Sequence, residues 1–462
     1  MSLESRVRSL MNNKRVIITS AQYNARVNKE FLASLESYAR YNDAEIIILP
    51  MRGSSITDDE LSEDLQKYKI ISKDFRLNNK IRISDYQILP QQIDPVTGLA
   101  RFTQSDVSTI FAAPKIRLKV IPNSNSKLPK VLMTTGAVTH PHYRQNRIGK
   151  IAEKDHTYGA VIVELESATK YHFRHLTSLK NGVFYDLGMR YSGRSKPKFV
   201  RPEAMVLGDW HTGDTNSIVR DETFRMISDY KPKMIIIHDL FNGASINHHE
   251  EHMSVNLAMK SNDLSLEKEL RAVAKELKTI CDKAGNGTKI YISKSNHDEW
   301  LMRYLQESKF MSDPQNTLIG AKLLVNAIEG YDPLREGISM FYRIPPNVEF
   351  LTRDDDLKVR GWQLANHGDK GSNGARGGIR SHEYANGKSI TAHSHTPQIF
   401  RNVYIVGTST ELKLDYNQGY SSWMNCHSFL YDNGRPQLVN ILNGKHRLTN
   451  GQRTRARRNN RK

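Results

Sequence analysis

Short apolar runs, each followed by a turn-rich polar segment, set the rhythm of this chain. Val16-Ile-Ile-Thr-Ser reads as a buried strand. From Asn28, a good N-cap, Phe31, Leu32, Leu35, Tyr38 and Ala39 recur at helical spacing, and Glu45-Ile-Ile-Ile-Leu49 is a second strand. That order is a β-α-β unit opening an α/β domain. Residues 55–105 are polar and mixed, without a motif. Residues 116–121 alternate like a half-buried strand, and 131–136 and 160–164 are further apolar runs. These elements predict one α/β domain ending near residue 200.

After Pro202 the pattern changes: each strand now ends on a residue able to bind a metal. Met205, Val206 and Leu207 lead through Gly208, which lets the backbone turn, to Asp209 and His211. A helix through Glu222, Phe224 and Ile227 follows, and the strand at 234–237 delivers His238, Asp239 and Asn242. Leu266, Leu270, Val273, Leu277 and Ile280 line one face of a long amphipathic helix closed by Gly285 and Gly287. The strand at 289–293 delivers Asn296 and His297, that at 360–365 delivers His367, and that at 389–392 delivers His393 and His395. The polar run 247–252, Asn-His-His-Glu-Glu-His, lacks a scaffold and reads as a solvated loop. Strands at 402–406, 421–431 and 437–441 close the second sheet, the last two joined by a hairpin turn at Asp432-Asn-Gly434.

Length, charge and cysteine usage narrow the picture. At 462 residues the chain exceeds a single core, which predicts a domain over 1–200, a second over 201–445 and a tail over 446–462. No apolar run suits a bilayer and no secretory leader is visible, so no membrane partner is expected. Cys281 and Cys426 form neither a disulfide framework nor a zinc pattern, which fits a reducing cytoplasm. Sixty-seven basic residues against 49 acidic give a net charge of +18, a field that attracts polyanions, DNA foremost. The tail, basic and nearly free of apolar residues after Leu448, is predicted to be disordered and to add sequence-independent phosphate affinity.

The candidate chemistry lies in the second domain. Asn296 can offer a side-chain carbonyl to a divalent ion, while its neighbour His297 can donate a proton without serving as a ligand. Between His367 and His393 runs a glycine-rich loop with Lys370, Arg376 and Arg380 spaced along it, suited to holding the phosphates of a polymer. The first domain has no cysteine nucleophile, and His140, His142, His156, His172 and His175 show no ligand pairing. It is assigned an accessory role in substrate grip, in assembly into a homo-oligomer, or in both.

Taken in order, Asp-x-His at 209 and 211, Asp239, Asn296-His297, His367 and His393-x-His395 resemble the motifs of the calcineurin-like metallophosphoesterases over roughly residues 200–445. The chain departs from that pattern at His238, Asn242, Ser295 and Ala392, none of which removes an expected ligand. The resemblance implies an α/β metallophosphoesterase fold, a two-sheet β-sandwich flanked by helices. It also implies two divalent cations. Asp209, His211, Asp239 and His395 would hold one, and Asp239, Asn296, His367 and His393 the other, with Asp239 bridging and His297 acting as general acid. Mixed His, Asn and Asp sites favour manganese, iron or zinc over magnesium, which prefers all-oxygen shells, and manganese is the ion expected here, with iron, zinc or magnesium as alternatives. Thr-Ser-Ala-Gln near the N-terminus, Thr-Thr-Gly-Ala-Val-Thr at 134–139, Ser-Asn-His-Asp and Asn-Gly-Ala-Arg-Gly extend the resemblance to tailed-phage DNA nucleases that degrade the host genome. The function so implied is that of a metal-dependent DNase acting in the host cytoplasm. A phosphatase or phosphodiesterase on nucleotides or phosphoproteins, and a DNA-binding structural protein with a vestigial site, are the alternatives. The charge disfavours the first, and the filled ligand positions disfavour the second.

Overall fold

A computed structural model describes residues 14–52, 60–103, 106–123, 129–246, 265–414 and 417–448. The run 247–252 and the chain beyond 448 lie outside the described residues. The chain is α/β and divides into two compact units. One comprises residues 1–121, 130–198 and 439–462, and the other 122–129 and 199–438.

In the first unit, β1 (Arg15–Gln22) is buried along its whole length. Helix α1 (Lys29–Asn42) starts where Asn28 accepts a hydrogen bond from the Phe31 amide. It returns the chain to β2 (Glu45–Met51), parallel to β1. Phe31, Leu35 and Tyr38 pack onto Ile17, Ile46 and Ile48. Residues 55–105, without a motif in the sequence, supply β3 (Lys69–Ile70), β4 (Phe75–Asn78) and β5 (Ile81–Ser84). Strands β6 (Ser108–Phe111), β7 (Arg117–Ile121) and β8 (Lys130–Thr134) join β5 and β4 in the order β7-β8-β6-β5-β4. After the short helix α2 (Arg147–Lys154), β9 (Tyr158–Leu165) and β10 (Tyr171–Ser178) complete a sheet ordered β10-β9-β1-β2-β3. Strands β11 (Phe184–Asp186), β12 (Met189–Tyr191) and β13 (Lys198–Phe199) form a small third sheet.

Strand β10 is fully buried although it carries His172, Arg174 and His175. Its charge is matched locally: Arg174 bonds Asp186 at 2.8 Å and Glu164 at 3.1 Å, and Arg15 bonds Glu164 at 2.8 Å. The end of the described chain docks here too, with the Leu448 amide donating to Glu164 at 2.9 Å and Lys445 pairing with Glu166 at 3.1 Å. Of the five histidines before residue 200, four make an internal contact and one is exposed. His175 bonds the Thr134 carbonyl, His156 bonds Tyr143 and the Thr139 carbonyl, His140 bonds Tyr158, His172 faces Glu166, and His142 is exposed.

In the second unit, β14 (Ala204–Val206), β15 (Met234–Ile237), β16 (Lys289–Ile292) and β17 (Val348–Phe350) run parallel. Parallel strands place their carboxyl ends at one edge, so the loops after β14, β15 and β16 share one rim. Helices α3 (Ser217–Tyr230) and α4 (Leu266–Ala284) make the crossovers. α4 buries Leu266, Leu270, Val273, Leu277 and Ile280, the face its spacing predicts. Helices α5 (Asn296–Gln306), α6 (Thr317–Ile328) and α7 (Pro333–Ser339) follow β16.

Strands β18 (Lys358–Val359), β19 (Trp362–Gln363), β20 (Ser389–Thr391), β21 (Gln398–Phe400) and β22 (Val403–Ile405) lie in the order β18-β19-β20-β22-β21, with helix α8 (Ile379–Asn386) between β19 and β20. β19 is parallel to β20 and β20 to β22, so His367 and the 393–395 turn leave from one end of these strands. Strand β23 (Cys426–Leu430) pairs antiparallel with β14, and β24 (Pro436–Asn440) follows after the 432–434 turn. Cys281 and Cys426 are buried and form no disulfide among the described residues. Among the described residues no helix is long and apolar enough to cross a membrane.

Candidate metal centre

The pocket begins where β14 and β15 end. Their parallel pairing continues past both strands as a ladder: the Trp210 amide donates to the His238 carbonyl at 3.0 Å, His211 to Asp239 at 2.7 Å and Thr212 to Leu240 at 3.2 Å. Gly208 serves this entry through close approach rather than through a turn. A Cβ on it would stand 2.7 Å from the Cys426 carbonyl oxygen, and its amide donates to His427 Nδ1 at 2.9 Å. Four residues of the pocket, His211, Asp239, His393 and His395, hold φ between +47° and +68°, in the left-handed region. Such a conformation costs a non-glycine residue about 1–2 kcal/mol and persists only where surrounding bonds fix it. Bonds hold three of them: Asp214 and Thr215 amides donate to the His211 carbonyl, the His211 amide donates to the Asp239 carbonyl, and the Met424 amide donates to the His395 carbonyl.

The four side chains Asp209, His211, Asp239 and His395 converge, each offering a ligand atom within 4.8 Å of the others, and all are buried. His395 Nε2 lies 3.1 Å from Asp209 Oδ2 and 3.1 Å from His211 Nε2, and His211 Nε2 lies 3.4 Å from Asp239 Oδ2. His367 borders the quartet, its Nε2 3.1 Å from Asp239 Oδ2 and its Nδ1 3.8 Å from Asp209 Oδ1. The His393 ring sits 5.1 Å from that of His367, centre to centre. Asn296 opens α5, behind Ser295, whose hydroxyl and amide form a capping box with Asp298. That cap fixes the first turn on which Asn296 and His297 stand.

Both oxygens of Asp209, Asp239 Oδ1, Asn296 Oδ1, both nitrogens of His367 and His395 Nδ1 are buried without a hydrogen-bond partner among the described residues. Buried polar atoms are ordinarily satisfied, so this convergence of oxygen and imidazole donors has the character of a cation site. The donor set fits a divalent ion. Charge in the pocket is set by the two carboxylates and by burial, which act on its histidines in opposite directions. Burial alone disfavours a charged His367, but Asp239 and Asp209 outweigh it and push the imidazole up to about 9. Burial opposes ionisation of Asp209 as well, and His395 and His367 overcome it, holding the carboxylate below its usual range. Burial drives His211 down to about 3, leaving it neutral as a ligand must be.

A relay orients His211. Its Nδ1 lies 3.1 Å from Asn242 Oδ1, which can only accept, so Nε2 is the nitrogen turned to the quartet. Asn242 Nδ2 in turn donates to Asp214 Oδ2 at 3.0 Å. The carboxylate missing at position 242 is therefore supplied one bond further out, by Asp214. The same residue positions His297, whose Nδ1 donates to the Asn242 carbonyl at 2.5 Å. His297 stands edge-on to His211 at 4.6 Å and rests on Trp300 at 3.9 Å. Trp423 walls the other side, 4.1 Å from the His395 ring.

The loop after His367 divides. Lys370 bonds Glu299 at 2.6 Å inside a network in which Arg353 holds Asp369 through two bonds of 2.6 and 2.8 Å. Arg376 and Arg380 are exposed. Between this loop and His367 lies a cavity of about 220 Å³, also lined by Lys294, Arg353 and His382.

Residue by residue, the predicted ligands Asp209, His211, Asp239 and His395 meet in one place, with His367 against Asp239, His393 beside His367 and His297 beside His211. Sequence reasoning missed His238, buried with both ring nitrogens unpartnered and 5.5 Å from His367, and it missed the role of Asp214. The position of His238 next to Asp239 was the only signal for the first. Nothing in the spacing marked the second.

Fold and centre together define an α/β protein with a buried Asp/His cluster able to hold a metal ion. No family model matches the chain. Its sequence is 29% identical over 471 aligned residues to Protein A1 of Escherichia phage T5, covering 94% of this chain and 82% of that protein, which makes it a phage-related protein. A solved structure aligned over 52% of this chain and 100% of its own reaches a TM-score of 0.29 at 10% identity, below the level of a shared fold.

Proposed function

We propose that this protein is a divalent-metal-dependent DNA nuclease of the calcineurin-like type, its second unit a two-sheet sandwich and its substrate DNA in the host cytoplasm. The observation that carries the reading is the convergence of Asp209, His211, Asp239 and His395, with carboxylate oxygens buried among imidazoles and short of hydrogen-bond partners among the described residues. Asp209, His211, Asp239 and His395 would hold one cation, and Asp239, Asn296, His367 and His393 a second, with manganese the ion this donor set favours. Bound there, the cations would supply Lewis acidity, polarising the scissile phosphoryl group and easing deprotonation of the attacking water.

The chain's own residues do the rest. Asn242 fixes His211 through Nδ1 and His297 through its carbonyl. His297 protonates the departing oxygen. Arg376 and Arg380 hold flanking phosphates, and Lys370 joins them on release from Glu299. The net charge of +18 supports a polymeric anion over a small substrate. The first unit, without a ligand cluster of its own among the described residues, serves substrate grip or homo-oligomer assembly.

The test is cleavage of linear and covalently closed DNA with manganese by the wild type, Asp239→Ala and His297→Ala. We expect Asp239→Ala to lose both manganese binding, by calorimetry, and cleavage. His297→Ala should bind manganese and cleave at least about 100-fold more slowly. Turnover of nucleotides or phosphopeptides without DNA cleavage would favour a phosphatase, and DNA binding without turnover a vestigial site. Full activity in both variants would overturn the assignment.

A further inference from the structure

Helix α8 ties the glycine-rich loop to the centre by one face only. His382 is buried beneath it and bonds the Gly368 carbonyl, and Glu383 is held by Arg401 at 3.1 Å. His382, Ala385 and Asn386 line the cavity beside Asn366 and His367, so this helix forms one wall of the approach to the candidate ligands. The opposite face carries Tyr384, 83% exposed, the largest exposure of any large apolar side chain among the described residues. One turn before it stands the exposed Arg380, with the exposed Arg376 at the mouth of the loop and the exposed Lys388 after the helix. The nearest carboxylate on the helix, Glu383, is already neutralised by Arg401. An aromatic ring left in water on an anchored helix, interleaved with unopposed cations, has the composition of a surface that tracks a nucleic acid strand.

We propose that Tyr384, with Arg376 and Arg380, forms a rail on which unpaired DNA enters the centre, the tyrosine stacking on a base while the arginines hold the adjoining phosphates. The proposal rests on the nuclease reading and narrows it to substrates with unpaired bases, because a paired base has both faces covered by its neighbours. A protein partner would use the ring but have no need of the arginines. The hydroxyl is not required, since stacking uses the ring face.

The full-length protein with manganese is assayed on a single-stranded thymidine oligonucleotide, on the same backbone carrying abasic sites, and on a blunt duplex. Tyr384→Ala should raise KM for the single strand about ten-fold, with kcat at saturation within two-fold, and Tyr384→Phe should restore wild-type KM. On the abasic strand Tyr384→Ala and wild type should coincide. Arg380→Ala should raise KM on both single strands and flatten its salt dependence. Tyr331→Ala, which removes an exposed tyrosine outside this rail, should leave KM for the single strand unaltered. An unchanged KM in Tyr384→Ala, failure of phenylalanine to restore it, or an equal loss on the abasic strand would overturn the rail. If the wild type cleaves none of the three, the nuclease reading falls, and fluorescence anisotropy of the same oligonucleotides against the same variants still decides the stacking surface.

Discussion

At the scale of single residues, the centre depends on groups that are not themselves ligands. Asn242 holds two histidines by two different atoms, and Asp214 fixes which way its amide faces. Asn242→Ala should weaken manganese binding about 10- to 100-fold by calorimetry, and Asn242→Asp, which keeps an acceptor for His211 Nδ1, should lose less. Gly208 acts through space. A methyl group there would press on two backbone segments, the Cys426 carbonyl at 2.7 Å and Gly407 at 2.9 Å, neither of which can swing aside. Gly208→Ala should cost about 1–3 kcal/mol in urea unfolding and shift Asp209 enough to weaken cation binding. The convergence of Asp209, His211, Asp239 and His395 was legible in the sequence because each follows an apolar strand. Asp214 was not, since its contact to Asn242 spans 28 residues and no local pattern encodes it.

At the scale of elements, legibility followed apolar continuity. The strands at 234–237 and 289–292 and the face of α4 stand out because burial there is mostly apolar, with Glu269 and Glu276 the buried exceptions on the helix. Strand β10 was invisible for the opposite reason: its buried positions include His172, Arg174 and His175, tolerated because Glu164, Asp186, Glu166 and the Thr134 carbonyl meet them. Strands β3 to β5 escaped because they are short and half-polar, with only Leu77, Ile81 and Ile83 deeply buried among their large apolar residues. The helix α4 carries a direct test. Leu277 is fully buried between flanking Val273 and Ile280, so Leu277→Ala should destabilise the second unit by about 2–5 kcal/mol, read from its unfolding midpoint.

At the scale of the molecule, buried neutral histidines make stability depend on acid, and the first unit shows how. Burial holds His175 of the first unit down to about 4, against about 6.5 in an unfolded chain. Between those values the unfolded state takes up a proton that the folded state refuses. The stability from a neutral His175 is therefore complete above about pH 6.5 and lost progressively down to about pH 4, by at most about 3 kcal/mol. His175→Gln should flatten the fall in melting temperature of the first unit across that window. The C-terminal segment adds a second dependence, since a chain ending at 443 loses the Leu448 amide bond to buried Glu164. Such a chain should unfold its first unit about 1.5–3 kcal/mol more easily, a loss visible by thermal melting. The return of this segment was not legible beforehand, because its few described contacts are polar and distant in sequence.

The antiparallel pairing of β14 with β23 and the 184 residues between His211 and His395 bear on how the protein is born. A ribosome delivers the first half of the ligand quartet long before the last, and the edge that locks β14 emerges later still. A nascent chain thus has no complete cage to load with metal until His395 and the strand that locks β14 have both been made.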